Sequence, residues 1–304
     1  MLYNLITVLG PTACGKTKLA AQLAYHFDGE IISADSRQVY KRMTIGTGKD
    51  LHEFVINDTQ IPYHLIDIIE PDEEFNLFLF KEHFEKAFQS IKEKQKTPFL
   101  TGGTGMYLSS VLQNYALAKT DFHSKRKDEL ENFALHDLAE LLFSLSAKLH
   151  NTTDLLDKER LIKAILVAEA SAESEQNGKT NISSFTIGIQ PERKIIKEKI
   201  SSRLTFRLQN GMIEEVEQLA ADGITFEKLN FFGLEYRYVG LYLQKKLSYN
   251  DMFQKLRSAI HQFAKRQMTW FRKMEREGVV IHWLPEADFS EAKNMIESKC
   301  PIFR

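Results

Sequence analysis

One stretch of eight residues, GPTACGKT at 10–17, restricts the fold of this chain more than any other part of its 304 residues. It satisfies G-x-x-x-x-G-K-[ST] and lies where that pattern works, between a short apolar run at 5–9 and a helix-period stretch at 16–27. A buried strand that ends in a glycine-bearing turn and feeds a helix is the opening of an α/β domain. The segment Gly10, Pro11, Thr12, Ala13, Cys14, Gly15, Lys16, Thr17 is expected to wrap a phosphate chain. Its backbone N–H groups converge on the oxygens, the helix N-terminus adds partial positive charge, Lys16 reaches a terminal phosphate and the Thr17 hydroxyl ligates Mg2+. The loop alone leaves open whether that chain belongs to a nucleoside triphosphate, a kinase substrate or a prenyl diphosphate. Cys14 sits near a helix N-terminus, which favours a thiolate, but with no partner base it reads as a small residue in a tight turn.

Further apolar runs at 31–33, 64–68, 98–101 and 185–189 alternate with helical stretches at 77–94 and 105–112. That alternation predicts an α/β fold: a P-loop NTPase-like, mostly parallel sheet flanked by helices. From 122 to 170 the periodicity becomes helical and charge-laced with no strand candidate, and it ends in the polar run ASAESEQNGKTNISS at 170–184, which reads as a mobile linker. The expected organisation is a first part of the catalytic core at 1–120, a small all-helical insertion domain at 121–184, and a second part at 185–304. The last carries long helices at 193–210, 213–221 and 249–276 and a closing strand at 279–283.

Net charge is −1, so the whole chain carries no footprint for a polyanion. The charge is uneven, however: residues 192–278 hold 17 Lys or Arg against 11 Asp or Glu, and residues 255–276 hold seven against one. Nucleic acid would therefore meet the carboxyl-terminal part. Two distant cysteines give no material for a disulfide framework. No apolar run approaches the roughly 20 residues of a membrane span, and the start lacks a basic, cleavable leader, so a cytoplasmic protein without membrane contact is expected. Trp270, Phe271 and Trp283 read as core, and the scattered histidines suggest no zinc site.

After the second strand comes SADSRQVYKRMTIGTGK at 33–49, with Asp35 at the carboxyl end of a strand, where open α/β sheets gather their ligands. This string resembles the second signature of the tRNA dimethylallyltransferases, whose pattern couples a GPTASGKT-like segment with DSxQxY-[KR]-x-M-x-IGT-[AG]-K. PYHLID at 62–67, FLTGGTGMY at 99–107 and FAKRQMTWF at 263–271 resemble further segments of that family in the same order. The chain departs from the family in FNLFLF at 75–80, in Leu234 after Gly233, in Ile260 and His261 before the FAKRQ segment, and in LDKERLIKAI at 156–165.

The resemblance implies transfer of a dimethylallyl group from its diphosphate to N6 of the adenosine just 3′ of the anticodon. It implies catalytic roles for Asp35 as base, Thr104 as a hydrogen-bonding partner near the reacting base, and Lys16 and Arg203 on the diphosphate, with Arg207 as the rival of Arg203. Asp35, Ser36, Arg37, Gln38 and Thr104 match segments that contact the anticodon loop, Gln38 with an amide suited to a base edge. Arg126, Glu159, Arg160 and Lys163 match contacts in the insertion. Mg2+ is the expected cofactor, tRNA and dimethylallyl diphosphate the expected partners, and a monomer the expected state. Three alternatives stand beside it: an isopentenyltransferase for free adenine nucleotides, a P-loop small-molecule kinase, and an RNA-binding protein that has lost catalysis. The basic carboxyl-terminal half argues for RNA, and the GGTGMY and second-signature segments argue against the kinase.

Overall fold

The computed structural model describes residues 3–115, 117, 120–122, 124–145, 157–173 and 181–300. Contacts divide the chain into two units, one of Met1–Gln113 with Ile182–Arg304 and one of Asn114–Asn181.

The larger unit opens with β1 (Leu5–Leu9), α1 (Lys16–His26) and β2 (Gly29–Ala34). A 3-10 turn at Leu51–Phe54 follows, then a small hairpin of β3 (Val55–Ile56) and β4 (Thr59–Gln60), and β5 (Tyr63–His64). Next come α2 (Leu77–Glu93), β6 (Thr97–Gly102) and α3 (Gly105–Leu112). The smaller unit holds α4 (Lys125–Glu131), α5 (Leu135–Leu145) and α6 (Lys158–Glu173). The chain then returns through β7 (Ser184–Ile189), α7 (Arg193–Gln209), α8 (Met212–Ala221), α9 (Phe226–Phe231), α10 (Leu234–Leu243), α11 (Tyr249–Arg276), β8 (Ile281–Leu284) and α12 (Phe289–Lys299).

Six strands form one sheet in the order β5-β2-β6-β1-β7-β8, and each neighbouring pair is parallel. Such a sheet is covered on both faces, which is why its central strands read as unbroken apolar runs rather than alternating ones. The pleat of β1 divides its side chains between two cores. Ile6 and Val8 join Leu19, Leu23, Phe99 and Ile187 on one face, and Leu5 and Leu9 join Phe80, Phe84, Leu100 and Phe271 on the other. The α/β class expected from the sequence is the one found.

Four details differ from the sequence expectation. The strand expected over 64–68 is only Tyr63–His64, because Leu65 and Asp67 take positive φ (64° and 55°) and leave the extended region. The closing strand lies at Ile281–Leu284, after a turn at Gly278 with φ 98°. Residues 182–184, expected to end the insertion, belong to the sheet unit: the Ser183 carbonyl accepts the N–H groups of Asn4 and Leu5 at 2.8 and 3.3 Å. Helices α9, α10 and α12 were not anticipated.

The smaller unit is helical among its described residues and has its own core of Leu130, Leu138, Leu142, Leu161, Ile162, Ile165 and Leu166. Leu138 and Leu142 on α5, like Leu161 and Ile165 on α6, fall one helical turn apart and so share a face. Of the polar run at 170–184, residues 170–173 complete α6 and 174–180 lie outside the described residues.

Candidate active site

The register of three strands builds the site. Leu9 pairs with Gly102 and Gly102 with Ala34, so β1, β6 and β2 end at one level. Gly10, Gly103 and Asp35 therefore leave the sheet side by side, each opening a loop at the carboxyl edge. With strands about 4.8 Å apart, β1 and β2 are separated by roughly 10 Å, room for a small substrate between the phosphate loop and Asp35. These loops open into a cavity of ≈ 1110 Å³, lined by Thr12, Lys16 and Thr17 from the first, Asp35, Ser36 and Arg37 from the second and Gly103 and Thr104 from the third, with Arg203 and Arg207 from α7.

In the phosphate loop, Ala13 (φ 63°) and Gly15 (φ 90°) both take the left-handed conformation, which bends the backbone into a cradle. Lys16 Nζ folds back to the Pro11 carbonyl at 3.3 Å. Thr17 stands in the first turn of α1 and lines the cavity. Cys14 is buried, and burial pushes its thiol above the usual range, so it stays a protonated packing residue.

Two partners from distant helices complete the cradle. The Arg203 guanidinium donates to the Thr12 hydroxyl. Burial, with Arg207 beside it, pulls Arg203 down to about 10, the mark of a cationic site that a bound anion would relieve. Gln267, on α11 and 6% exposed, accepts the Thr12 N–H at 2.8 Å and donates to the Gly103 carbonyl at 2.9 Å. A Cβ at Gly103 would lie 2.3 Å from that amide nitrogen, so the glycine is what lets Gln267 reach. Gln267 lies within the FAKRQMTWF segment, whose spacing alone assigns it no role.

On the other side, the Arg37 N–H donates to Asp35 Oδ1 at 2.9 Å, and the Thr104 hydroxyl accepts the Ser36 N–H at 3.0 Å. The second loop is further pinned from behind. Glu215 of α8 accepts the N–H groups of Thr44, Ile45 and Gly46 at 2.8, 2.7 and 3.0 Å and the Tyr236 hydroxyl at 2.7 Å. Lys49, buried and held below the usual range by that burial, donates to the Tyr40 carbonyl and to Asp67. Arg207 pairs with Asp50 at 2.9 Å against Gly48.

Gln38 already has partners for both ends of its amide. It lines the cavity, but its amide is engaged within the protein, Oε1 by the Ser33 hydroxyl at 3.1 Å and Nε2 on the Gly48 carbonyl at 3.0 Å. Glu235, near the start of α10, went unnoticed in the sequence. It lines the same cavity, and burial raises its carboxyl above the usual range despite the nearby Arg207 and Arg203.

Arg126, Glu159, Arg160 and Lys163 all lie in the smaller unit, where each has an intramolecular partner. Arg126 Nη2 meets Glu169 at 2.7 Å and its Nη1 meets Glu129 at 3.0 Å, while Lys163 meets Glu159 at 2.7 Å. Arg160 pairs more loosely with Asp157 at 3.7 Å.

Comparison with known proteins matches residues 38–274 to the IPP transferase family and residues 3–65 to isopentenyl transferase. Over 287 residues the chain is 52% identical to tRNA dimethylallyltransferase 1 of Geotalea daltonii, covering 94% of this chain and 92% of that protein. It is also 52% identical to tRNA dimethylallyltransferase 2 of Phocaeicola vulgatus over 284 residues, covering 93% and 92%. Among solved structures, the tRNA isopentenylpyrophosphate transferase of Bacillus halodurans superposes with a TM-score of 0.71 at 28% identity, covering 99% of this chain and 97% of that one.

Proposed function

The chain belongs to the tRNA dimethylallyltransferase family, and from that membership we propose that its cavity joins dimethylallyl diphosphate to N6 of the adenosine 3′ to the anticodon. The observation that carries this reading is the shared level at which β1, β6 and β2 end, since a phosphate cradle and a carboxylate, on strands about 10 Å apart, then line one cavity.

Breaking the allylic C–O bond leaves charge on the diphosphate, so catalysis needs donors already aimed at those oxygens. The loop N–H groups, Lys16 and Arg203 are that set, and Arg suits the task because its planar fork engages two oxygens. Thr17, exposed to the cavity one residue beyond Lys16, fits Mg2+, an ion that takes most of its ligands from water and phosphate oxygens. When bound there, Mg2+ supplies further positive charge to the leaving group.

The exocyclic amine of adenine is a weak nucleophile because its lone pair is delocalised. As the N6–C bond forms, Asp35 takes one N6 proton, and the electron pair of the broken C–O bond leaves with the diphosphate. Thr104 holds the Asp35 loop through Ser36, accepting its N–H and donating to its hydroxyl, and lines the same cavity. An adenosine in a hairpin loop reaches this pocket by swinging out of the stack, with Ser36, Arg37 and Gln38 beside it. Arg126, Glu159, Arg160 and Lys163 contact the RNA from the smaller unit by exchanging their internal partners for phosphates. The enzyme acts as a cytoplasmic monomer, away from membranes.

The test is direct. Purified protein, dimethylallyl diphosphate, Mg2+ and unmodified tRNA are incubated, and the digested RNA is analysed by mass. One adenosine gains a five-carbon unit and no ATP is consumed. Prenylation of free adenosine monophosphate with unmodified tRNA left unchanged would overturn the reading in favour of a nucleotide isopentenyltransferase.

A further inference from the structure

The dipeptide Phe231-Phe232 at the end of α9 splits in two. Phe232 is 1% exposed and packs its ring against Tyr40 (centroids 4.9 Å) and Tyr236 (6.4 Å) in the main core. Phe231 is 55% exposed and lines the catalytic cavity. Core packing therefore accounts for Phe232 and not for its neighbour. A phenyl ring left largely in water forgoes most of the stabilisation that burial would bring.

What touches Phe231 is informative. The Arg37 guanidinium lies 4.8 Å from its ring centroid, a cation over one face of the ring. Arg37 is itself tied to Asp35 through its backbone N–H. Its electrostatic neighbours are Tyr40, Asp35, Tyr107 and Glu235. The ring thus lines the same cavity as the Asp35 carboxylate, with an arginine backing it. An aromatic face beside a cation is the arrangement that holds single-stranded bases, because every base has a π-face and the adjoining phosphate carries negative charge.

We propose that Phe231, backed by Arg37, is a stacking platform for the nucleotide base adjoining the adenosine that enters the cavity. The proposal rests on RNA being the substrate. A base extruded from a hairpin loop leaves its neighbour unstacked on one side, and Phe231 supplies the lost partner. Stacking by shape tolerates any base, so Phe231 sets affinity for an opened loop rather than a sequence preference.

The experiment is a coupling measurement on RNA hairpins that carry the target adenosine, either intact or with an abasic sugar 5′ or 3′ of it. Dissociation constants are measured for wild type, Phe231→Ala, Phe231→Trp and, as a control away from the cavity, Phe206→Ala. The wild type is expected to lose about tenfold in affinity when one of the two neighbouring bases is removed. Phe231→Ala loses about tenfold on the intact hairpin and little more on the abasic one, Phe231→Trp restores binding, and Phe206→Ala, at a residue 63% exposed, behaves as wild type. In turnover assays Phe231→Ala raises KM for the hairpin and leaves kcat and the KM for dimethylallyl diphosphate unchanged. Equal losses from the abasic substitutions in wild type and Phe231→Ala, on both sides of the adenosine, would overturn the proposal. Binding with this coupling but without prenylation would instead sink the catalytic reading and leave the platform standing.

Discussion

The side-chain oxygen of Gln267 accepts the backbone N–H of Thr12 at 2.8 Å, across 255 positions of sequence. Its amide nitrogen holds the Gly103 carbonyl at the same time, so one side chain on α11 sets the spacing of two substrate-facing loops. Gln267→Ala leaves the half-buried Thr12 N–H and the buried Gly103 carbonyl without these partners, a loss of about 1–3 kcal/mol in stability. Because Thr12 belongs to the phosphate cradle, the KM for dimethylallyl diphosphate rises more than the dissociation constant for tRNA. Thermal denaturation and the two binding measurements check this. Equal effects on both substrates would show that Gln267 only supports the fold.

Glu215 does comparable work behind the second loop. Three successive N–H groups and the Tyr236 hydroxyl converge on its carboxylate. Glu215→Ala strands all four donors and is expected to cost about 3 kcal/mol, since hydrogen bonds to a charged group are the stronger kind. Tyr236→Phe removes only one and costs about 1 kcal/mol. Amide hydrogen exchange at residues 44–48 is accelerated in the first variant and little changed in the second. Slow exchange there in Glu215→Ala would mean that the loop is held by something else.

The turn from β1 into α1 was legible because its letters fit its backbone: a glycine, Gly15, stands at the φ 90° position before the helix, and a lysine follows it. Asp35 was legible for a similar local reason, following a strand whose end is visible in its apolar run. Gln267, Glu215 and Arg207 act on backbone groups or side chains far away in sequence, and no period or spacing encodes such a partner. Gln38 makes the same point in reverse. Its residue type suits a base edge, yet Ser33 and the Gly48 carbonyl occupy both ends of its amide. Helices α9 and α10 escaped notice because Gly233 interrupts the apolar period between two short helices, and β5 is shorter than its apolar run because Leu65 and Asp67 leave the extended region.

Asp35→Asn keeps the hydrogen-bonding shape of the side chain, including an oxygen for the Arg37 N–H, but removes the basic carboxylate. Turnover is expected to fall by about a hundredfold or more, the usual scale for loss of a general base. Melting temperature and tRNA affinity stay near wild type. Single-turnover prenylation at saturating tRNA and donor is the measurement, and wild-type rates in this variant would remove Asp35 as the proton acceptor.

Glu235 carries a pH signature. Burial raises its carboxyl above the ordinary value, and the attraction of Arg207 and Arg203 offsets that only in part. Below the ordinary carboxylate range both the folded and the unfolded chain hold the proton, and Glu235 costs nothing. As pH rises past that range the unfolded chain ionises first, so the folded state binds the extra proton and loses stability until its own raised pKa is passed. Glu235→Gln keeps the shape without the ionisation. It is therefore expected to be more stable than wild type at neutral pH, with the gap closing toward pH 4, close to the unperturbed carboxylate value. Denaturant midpoints for both proteins from pH 4 to 8 report this gap directly. A gap that widens on acidification would mean that the pairing with Arg203 and Arg207 outweighs the burial of the charge.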